Sequence, residues 1–227
     1  MFNEEKSQGE QQPEKKKDVF TDKLTVRRIY LLGRIISRVF QEHAIPYWVT
    51  GGTALGCVRH KGLIPWDDDI DICLMDELEK RLLEGKESFF LENDLVLTET
   101  YFGYRLHHRV ESEPRANSNY RIPFCDIGIM RHNRKIGRIE CKHKTARDLW
   151  KNEWYSLGEI EPLEEMIYGD FSFSVARDPV SYLKRFYGDD CLEIAMTPTF
   201  DHDTRMCMSS EAVDTSEIGF KPATPFR

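Results

Sequence analysis

From Pro65 to Ile72 the chain reads Pro-Trp-Asp-Asp-Asp-Ile-Asp-Ile, with four carboxylates in five residues. Carboxylates this close repel one another unless a cation neutralises them. The second half alternates acid and apolar residues. On a strand this puts Asp69 and Asp71 on one face and Ile70 and Ile72 on the other. The flanking Cys73 and Leu74 extend an apolar run that argues for a buried strand rather than an acidic loop. A buried strand with two carboxylates needs a reason, because unpaired buried charge is costly. Side by side on a rigid edge, they suit Mg²⁺ or Mn²⁺, which prefer oxygen donors. An EF-hand calcium loop is excluded. Counted from Asp67, its glycine position holds Ile72 and its terminal glutamate position holds Leu78.

Just upstream lies a glycine turn, Gly51-Gly52-Thr53, between a short strand-like run (Tyr47 to Thr50) and a segment that can begin a helix (Thr53 to Val58). Such a turn lets backbone N–H groups approach a phosphate. Turn and acidic strand together point to metal-dependent chemistry on a phosphate-bearing substrate. A second unusual strand is Ile122 to Ile129, where Asp126 is the lone acid in an apolar run. With a paired-Asp strand in the same fold, Asp126 becomes a candidate third ligand.

The 227 residues, 40% of them hydrophobic, suffice for one full-sized domain. A net charge of -7 argues against bulk attraction to nucleic acid. No run of about 18 apolar residues marks a membrane span, and the N-terminus lacks the apolar core of a signal peptide. Cys57, Cys73, Cys125, Cys141, Cys191 and Cys207 lack paired spacing and read as reduced. Cys141-Lys142-His143 offers two zinc ligands with no C-x-x-C partner.

Along the chain, residues 1–22 are rich in Glu, Gln and Lys and read as a disordered polar tail. Residues 23–43 carry Leu24, Leu31, Leu32, Ile35, Ile36, Val39 and Phe40 at helical spacing, with arginines between them. Residues 76–85 read as a polar helix. Residues 95–101 and 104–110 alternate as strands, and 111–120 form a polar loop. Residues 131–157 are basic and polar without clear periodicity. Residues 166–175 resemble a hairpin turning at Gly169-Asp170. Pro179 to Tyr187 reads as a helix ended by Gly188. A globular domain over 23–195 and an irregular tail over 196–227 complete the expectation.

The stretch from Trp48 to Ile72, WVTGGTALGCVRHKGLIPWDDDIDI, closely resembles the LicD family. That family includes bacterial phosphorylcholine transferases and the animal fukutin and fukutin-related proteins. Phe124-Cys125-Asp126-Ile127 resembles the family's Asp-Ile strand. Pro179, Tyr182-Leu183 and Tyr187-Gly188 resemble its C-terminal signature. The resemblance implies an α/β (α+β) nucleotidyltransferase-like fold, a mixed sheet flanked by helices. It also implies a metal site of Asp69, Asp71 and Asp126 and a phosphate turn of Gly51, Gly52 and Thr53.

Family members transfer a phospho-alcohol from a CDP-activated donor to a glycan hydroxyl, with CMP leaving. The resemblance thus implies a CDP-alcohol donor, a glycan or glycoconjugate acceptor, and Mg²⁺ or Mn²⁺. On this reading Asp126 also accepts the acceptor's proton, and Arg59 or Lys61 offsets the charge of the leaving CMP. Trp66 packs as a lid or contacts the donor, and Asp68 is a supporting or capping residue. An aromatic cage would suit a choline cargo, with Trp48, Trp66, Tyr101 and Tyr104 as possible walls. The zinc-binding loop of fukutin-related protein is not evident. Many animal relatives are Golgi membrane proteins. This chain reads as soluble or cytoplasmic, or as Golgi-associated if it is part of a longer animal member. Two other readings stay open. One is a non-catalytic nucleotide- or glycan-binding accessory protein. The other is a nucleotidyltransferase using a nucleoside triphosphate, against which the Ile-Pro-Trp-Asp-Asp-Asp motif weighs.

Overall fold

The computed structural model describes residues 20–115, 120–197, 200–201, 206–207 and 209–225. Of the expected N-terminal tail, residues 1–19 lie outside the described residues. Thr21 and Asp22, assigned by sequence to that tail, hold the start of the fold. Thr21 Oγ1 donates to the Asp67 carbonyl at 2.7 Å. The Asp22 carboxylate accepts from the Leu24 and Thr25 N–H groups and caps helix α1 (Lys23–Glu42).

The buried stripe of α1 is Val26, Ile29, Tyr30, Leu32, Ile36, Val39 and Phe40. Leu24, expected in the stripe, is 47% exposed, because it sits in the capped first turn before the helix reaches the core. The helix arginines tie neighbouring segments together. Arg28 pairs with Glu113 (2.6 Å), Arg34 with Asp170 (2.7 Å), and Arg38 donates to Asn93 (2.6 Å).

After α1 the chain forms β1 (Trp48–Val49), α2 (Gly51–Leu55) continued by a wider turn over Gly56–His60, and β2 (Ile70–Met75). Then come α3 (Glu79–Glu84), α4 (Phe89–Glu92), β3 (Leu95–Glu99) and β4 (Gly103–His108). The small pair β5 (Glu113–Pro114) and β6 (Arg121–Ile122) precedes the long β7 (Phe124–Asn133). Next are β8 (Arg138–Cys141), α5 (Lys144–Leu149), β9 (Trp154–Tyr155) and α6 (Leu157–Ile160). The hairpin β10 (Glu164–Tyr168) and β11 (Phe171–Val175) and helix α7 (Pro179–Tyr187) follow, then the short pair β12 (Phe200–Asp201) and β13 (Met206–Cys207).

The main sheet runs β1-β2-β7-β4-β3, with β8 pairing on the later part of β7 and β9 beyond it. Only β2 and β7 are parallel within it; its other pairs are antiparallel. This is the mixed, helix-flanked sheet expected. The 131–157 segment conceals β8, α5 and β9. Each is too short to show a period, and they are held by buried Ile139, Ala146 and Tyr155.

β2 buries Ile70, Ile72 and Leu74 completely, which fixes its register and turns the alternate residues the other way. The described part of the C-terminal segment packs on the body. Met196 bridges to Ala212 and Leu63 to Ala223. Tyr30 Oη joins three segments: it donates to the Ala223 carbonyl at 2.8 Å and accepts from the Leu63 N–H at 3.2 Å. Cys57, Cys73, Cys125, Cys141 and Cys191 are buried free thiols.

Two stability predictions follow from this packing. Tyr30→Phe leaves those partners unmet and should cost about 1–3 kcal/mol in urea unfolding. It should also speed amide exchange at Leu63 and Ala223 above that at Ile72; equal protection in both proteins would refute the tie. His60 is 2% exposed, and burial, with Arg59 adding to it, pushes its imidazole down to about 3. The unfolded chain takes up this proton near pH 6.5 and the folded one does not. His60 therefore contributes stability that is full above pH 6.5 and falls as pH drops toward 3. The slope for one proton is about 1.4 kcal/mol per pH unit. Urea unfolding between pH 7 and pH 5 should show His60→Phe losing less stability than the wild type.

Candidate active site

The glycine turn and β2 are locked together by two hydrogen bonds. The Thr50 N–H donates to the Asp71 carbonyl (3.0 Å), and the Asp71 N–H donates to Thr53 Oγ1 (2.8 Å). The fit is close at both glycines, and at Gly51 the backbone conformation itself favours glycine. Gly51 has φ +53°, and a Cβ there would lie 2.8 Å from Asp71 Oδ2. A Cβ on Gly52 would lie 2.6 Å from Asp67 Oδ2. The turn therefore rests directly on the carboxylates.

Pairing of β2 with β7 sets Asp71 opposite Asp126, and pairing of β7 with β4 sets Asp126 opposite Arg105. Residues directly opposite on neighbouring strands share a face. Asp71, Asp126 and Arg105 thus form one row across three strands, with Asp69 at the entry to β2. Donor oxygens of Asp69, Asp71 and Asp126 lie within 4.8 Å of one another, as do those of Asp67, Asp68 and Asp69. Among the described residues these are the groups of three or more ligating side chains that meet this spacing. Cys141 and His143 belong to neither, so the zinc pair read from sequence gains no further ligands.

The row opens into a cleft of about 1270 Å³. Its floor includes Thr50, Gly51, Gly52, Asp67, Asp69 and Asp71. One wall carries Tyr101, Phe102 and Trp150, and another carries Phe186, Tyr187, Ile194 and Met196. Burial drives the Asp71 carboxyl well above the usual range, and Asp69, Asp126, Asp67 and Glu153 add to the shift. Such a group favours a nearby cation. Carboxylate oxygens in this arrangement suit Mg²⁺ or Mn²⁺, so the residues present fit the ion the sequence implies.

The other site residues read from sequence divide. Gly51 and Gly52 line the cleft, but the Gly51 N–H already donates to Tyr182 Oη (3.1 Å). The Gly52 N–H lies in the first helical turn of α2, where amides lack helical partners. The Thr53 hydroxyl is not a cleft group: it accepts from β2 and is buried. Arg59 lines the cleft, and its Nη1 donates to the Cys191 (2.6 Å) and Ile194 (2.9 Å) carbonyls. Lys61 lies outside the cleft lining. Its left-handed backbone (φ +60°) turns the side chain back to the Val58 carbonyl at 3.0 Å. Trp66 is a cleft wall fixed by its indole N–H to the Met196 carbonyl (2.9 Å). Asp68 faces Arg115 at 3.6 Å. Of the possible cage walls, Tyr101 and Trp66 line the cleft, whereas Trp48 and Tyr104 are buried elsewhere.

Sequence reasoning missed Arg105 and Glu153. Arg105 grips Asp126 with Nε to Oδ1 at 2.5 Å and Nη2 to Oδ2 at 2.7 Å. A carboxylate held this way is a well-fixed ligand and a poor proton acceptor, which removes the basis for the proton-accepting role read for Asp126. Glu153, from the segment without periodicity, lines the cleft, and burial pushes its carboxyl up. Thr50 Oγ1 lies 2.8 Å from Glu153 Oε1, 2.9 Å from Tyr155 Oη and 2.8 Å from Tyr182 Oη. Helix α7 thereby braces the glycine turn. No sequence signal marked Arg105 or Glu153. Tyr182 stood in the C-terminal signature.

Residues 44–178 match the family described as LicD/FKTN/FKRP, nucleotidyltransferase domain. The chain belongs to the LicD family. An uncharacterised protein of Rickettsia typhi is 28% identical over 205 residues, covering 87% of this chain and 59% of its own length. Lipopolysaccharide cholinephosphotransferase LicD of Haemophilus influenzae is 39% identical over 66 residues, 27% of this chain and 25% of that protein. Human ribitol 5-phosphate transferase FKRP is 34% identical over 53 residues, 23% of this chain and 11% of that protein. Among solved structures, ANT(2")-Ia in complex with adenylyl-2"-tobramycin is similar at 14% identity, with a TM-score of 0.42. That match covers 72% of this chain and 80% of the other. The chain spans a little over half the length of the Rickettsia relatives it matches, 59% and 53%. Among the described residues no helix is long and apolar enough to cross a membrane.

Without a cation the crowded acids oppose folding, which gives a stability test. In chelator at pH 7, Asp71→Asn should raise Tm by about 2–4 °C per kcal/mol of relieved repulsion. Mn²⁺ at a concentration high enough to fill a weak site should raise the wild-type Tm and leave the variant nearly unmoved. An equal Mn²⁺ shift in both proteins would show that the ion binds elsewhere.

Proposed function

We propose that this protein is a metal-dependent transferase. It moves a phospho-alcohol, phosphorylcholine-like or ribitol-phosphate-like, from a CDP-activated donor to a glycan hydroxyl and releases CMP. The observation that carries this reading is the convergence of Asp69, Asp71 and Asp126 on a large cleft beneath a glycine turn. Family membership and the printed activities of the LicD and FKRP relatives support the same chemistry.

Asp69, Asp71 and Asp126 would hold Mg²⁺ or Mn²⁺. When bound, the ion supplies charge neutralisation and Lewis acidity at the donor's diphosphate. The chain's own residues do the rest. Phosphoryl transfer depends on in-line positioning more than on covalent help. The first-turn amide of Gly52, a residue that lines the cleft, would suit a phosphate oxygen. Arg59, anchored to two carbonyls, sets a fixed positive charge in the wall for the departing CMP. The acceptor oxygen attacks the phosphorus that bears the alcohol. A new P–O bond forms, the bridging P–O bond breaks, and CMP carries away that electron pair. Glu153, whose carboxylate is made more basic by burial and is held by the Thr50 hydroxyl, takes the acceptor's proton in its ionised form. The aromatic wall of Tyr101, Phe102 and Trp150 offers a face for the cargo.

The test is CMP release from CDP-choline and CDP-ribitol with candidate glycans, in Mg²⁺ or Mn²⁺ and in EDTA. Metal-dependent release is expected, abolished in Asp71→Asn and reduced about 10²-fold or more in Glu153→Gln. Unchanged turnover in Asp71→Asn would sink the assignment. Metal-dependent binding of CDP-alcohols with no release across the panel would favour an accessory binding role.

A further inference from the structure

Arg105 is a positive charge built into the acid row. Its guanidinium forms a two-point pair with Asp126, and each side chain is 12% exposed. The guanidinium carbon stands 3.7 Å from the centroid of the Phe124 ring and 4.8 Å from that of Tyr120. Its fork geometry and the rings beside it hold it in one place. At the outer edge of the acid run, Arg115 lies 3.6 Å from Asp68. Positive charge thus adjoins the acids at both ends.

A carboxylate offers about four lone-pair directions, so Arg105 leaves Asp126 able to ligate. What it changes is the charge an incoming cation meets. With all three carboxylates ionised, as ligation of a cation requires, they carry -3, and a guanidinium that stays protonated at any working pH reduces this to -2. It also repels a bare divalent ion. A diphosphate diester cancels the charge of the divalent ion and CDP or pyrophosphate more than cancels it, so the repulsion is removed and the guanidinium can attract the phosphoryl oxygens.

We propose that Arg105 is a positioning residue that fixes Asp126 and prevents the triad from tightly retaining a divalent cation on its own. Cation and anionic diphosphate therefore load together. The nucleotide part of this inference rests on the proposed CDP donor; the diphosphate part does not.

Equilibrium dialysis at fixed free Mn²⁺ tests it, with wild type, Arg105→Gln and Arg105→Lys, each alone, with CDP and with inorganic pyrophosphate. Wild type should bind Mn²⁺ weakly alone and at least tenfold more tightly with either diphosphate. Arg105→Gln should bind Mn²⁺ alone at least fivefold more tightly than wild type, with a smaller gain from diphosphate. Arg105→Lys keeps the charge without the fork, so its affinity for Mn²⁺ alone should stay within about twofold of wild type. Equal or weaker Mn²⁺ binding by a folded Arg105→Gln overturns the proposal. If that variant does not fold, a fivefold tightening in Arg105→Lys overturns it instead. A wild-type gain with pyrophosphate but none with CDP refutes the CDP donor and leaves the inference standing. No gain with either overturns joint loading.

Discussion

The parallel pairing of β2 with β7 places the Asp71 carboxylate across from that of Asp126, and much of the surrounding structure accommodates that repulsion. Three apolar residues of β2, Ile70, Ile72 and Leu74, are completely buried and hold the strand in register. Shifting it by one residue would send the acids into the core and the isoleucines into the cleft. Arg105 arrives from the strand on the far side of β7 and neutralises one acid of the row. The glycine turn then closes on Asp67 and Asp71 so tightly that an added Cβ would force the carboxylates to shift. The charge-dense part of the molecule is therefore held by register, ion pair and close backbone approach at once.

The sequence showed this centre clearly because its signals were local. Alternation of Asp and Ile across 69–72, the Gly-Gly step and the lone Asp126 in an apolar run are each visible within a few residues. The long amphipathic helix, the hairpin at Gly169-Asp170 and the Pro179–Tyr187 helix were legible for the same reason. What stayed hidden depended on distant partners. Arg105 is one more charged residue in a strand until β4 is laid against β7. Glu153 sits in a basic stretch with no period, and its role follows from Thr50 far upstream. Lys61 and Thr53 show the converse. The family resemblance implied that Thr53 holds phosphate and that Lys61 offsets the charge of the leaving CMP, but Lys61 donates to the Val58 carbonyl and Thr53 Oγ1 accepts from the Asp71 amide.

The polar contacts beneath the cleft form a continuous support. Thr50 joins Glu153, Tyr155 and Tyr182, and Tyr182 in turn holds the Gly51 amide. Such a network confers rigidity where its members satisfy one another in a poorly solvated setting. It also ties the C-terminal helix to the turn, so a change at α7 has a direct route to the position of the acids.

That tie has a consequence for how the protein can be made. A ribosome delivers the glycine turn and the acid strand early, Arg105 and Asp126 later, and Tyr182 later still. Until β7 and α7 emerge, the nascent acid strand has neither its parallel neighbour nor its turn support. The cleft cannot mature as an independent N-terminal unit. It is assembled only when α7 docks against the turn, so the acid row is completed in the order of synthesis, from β2 through β7 to α7.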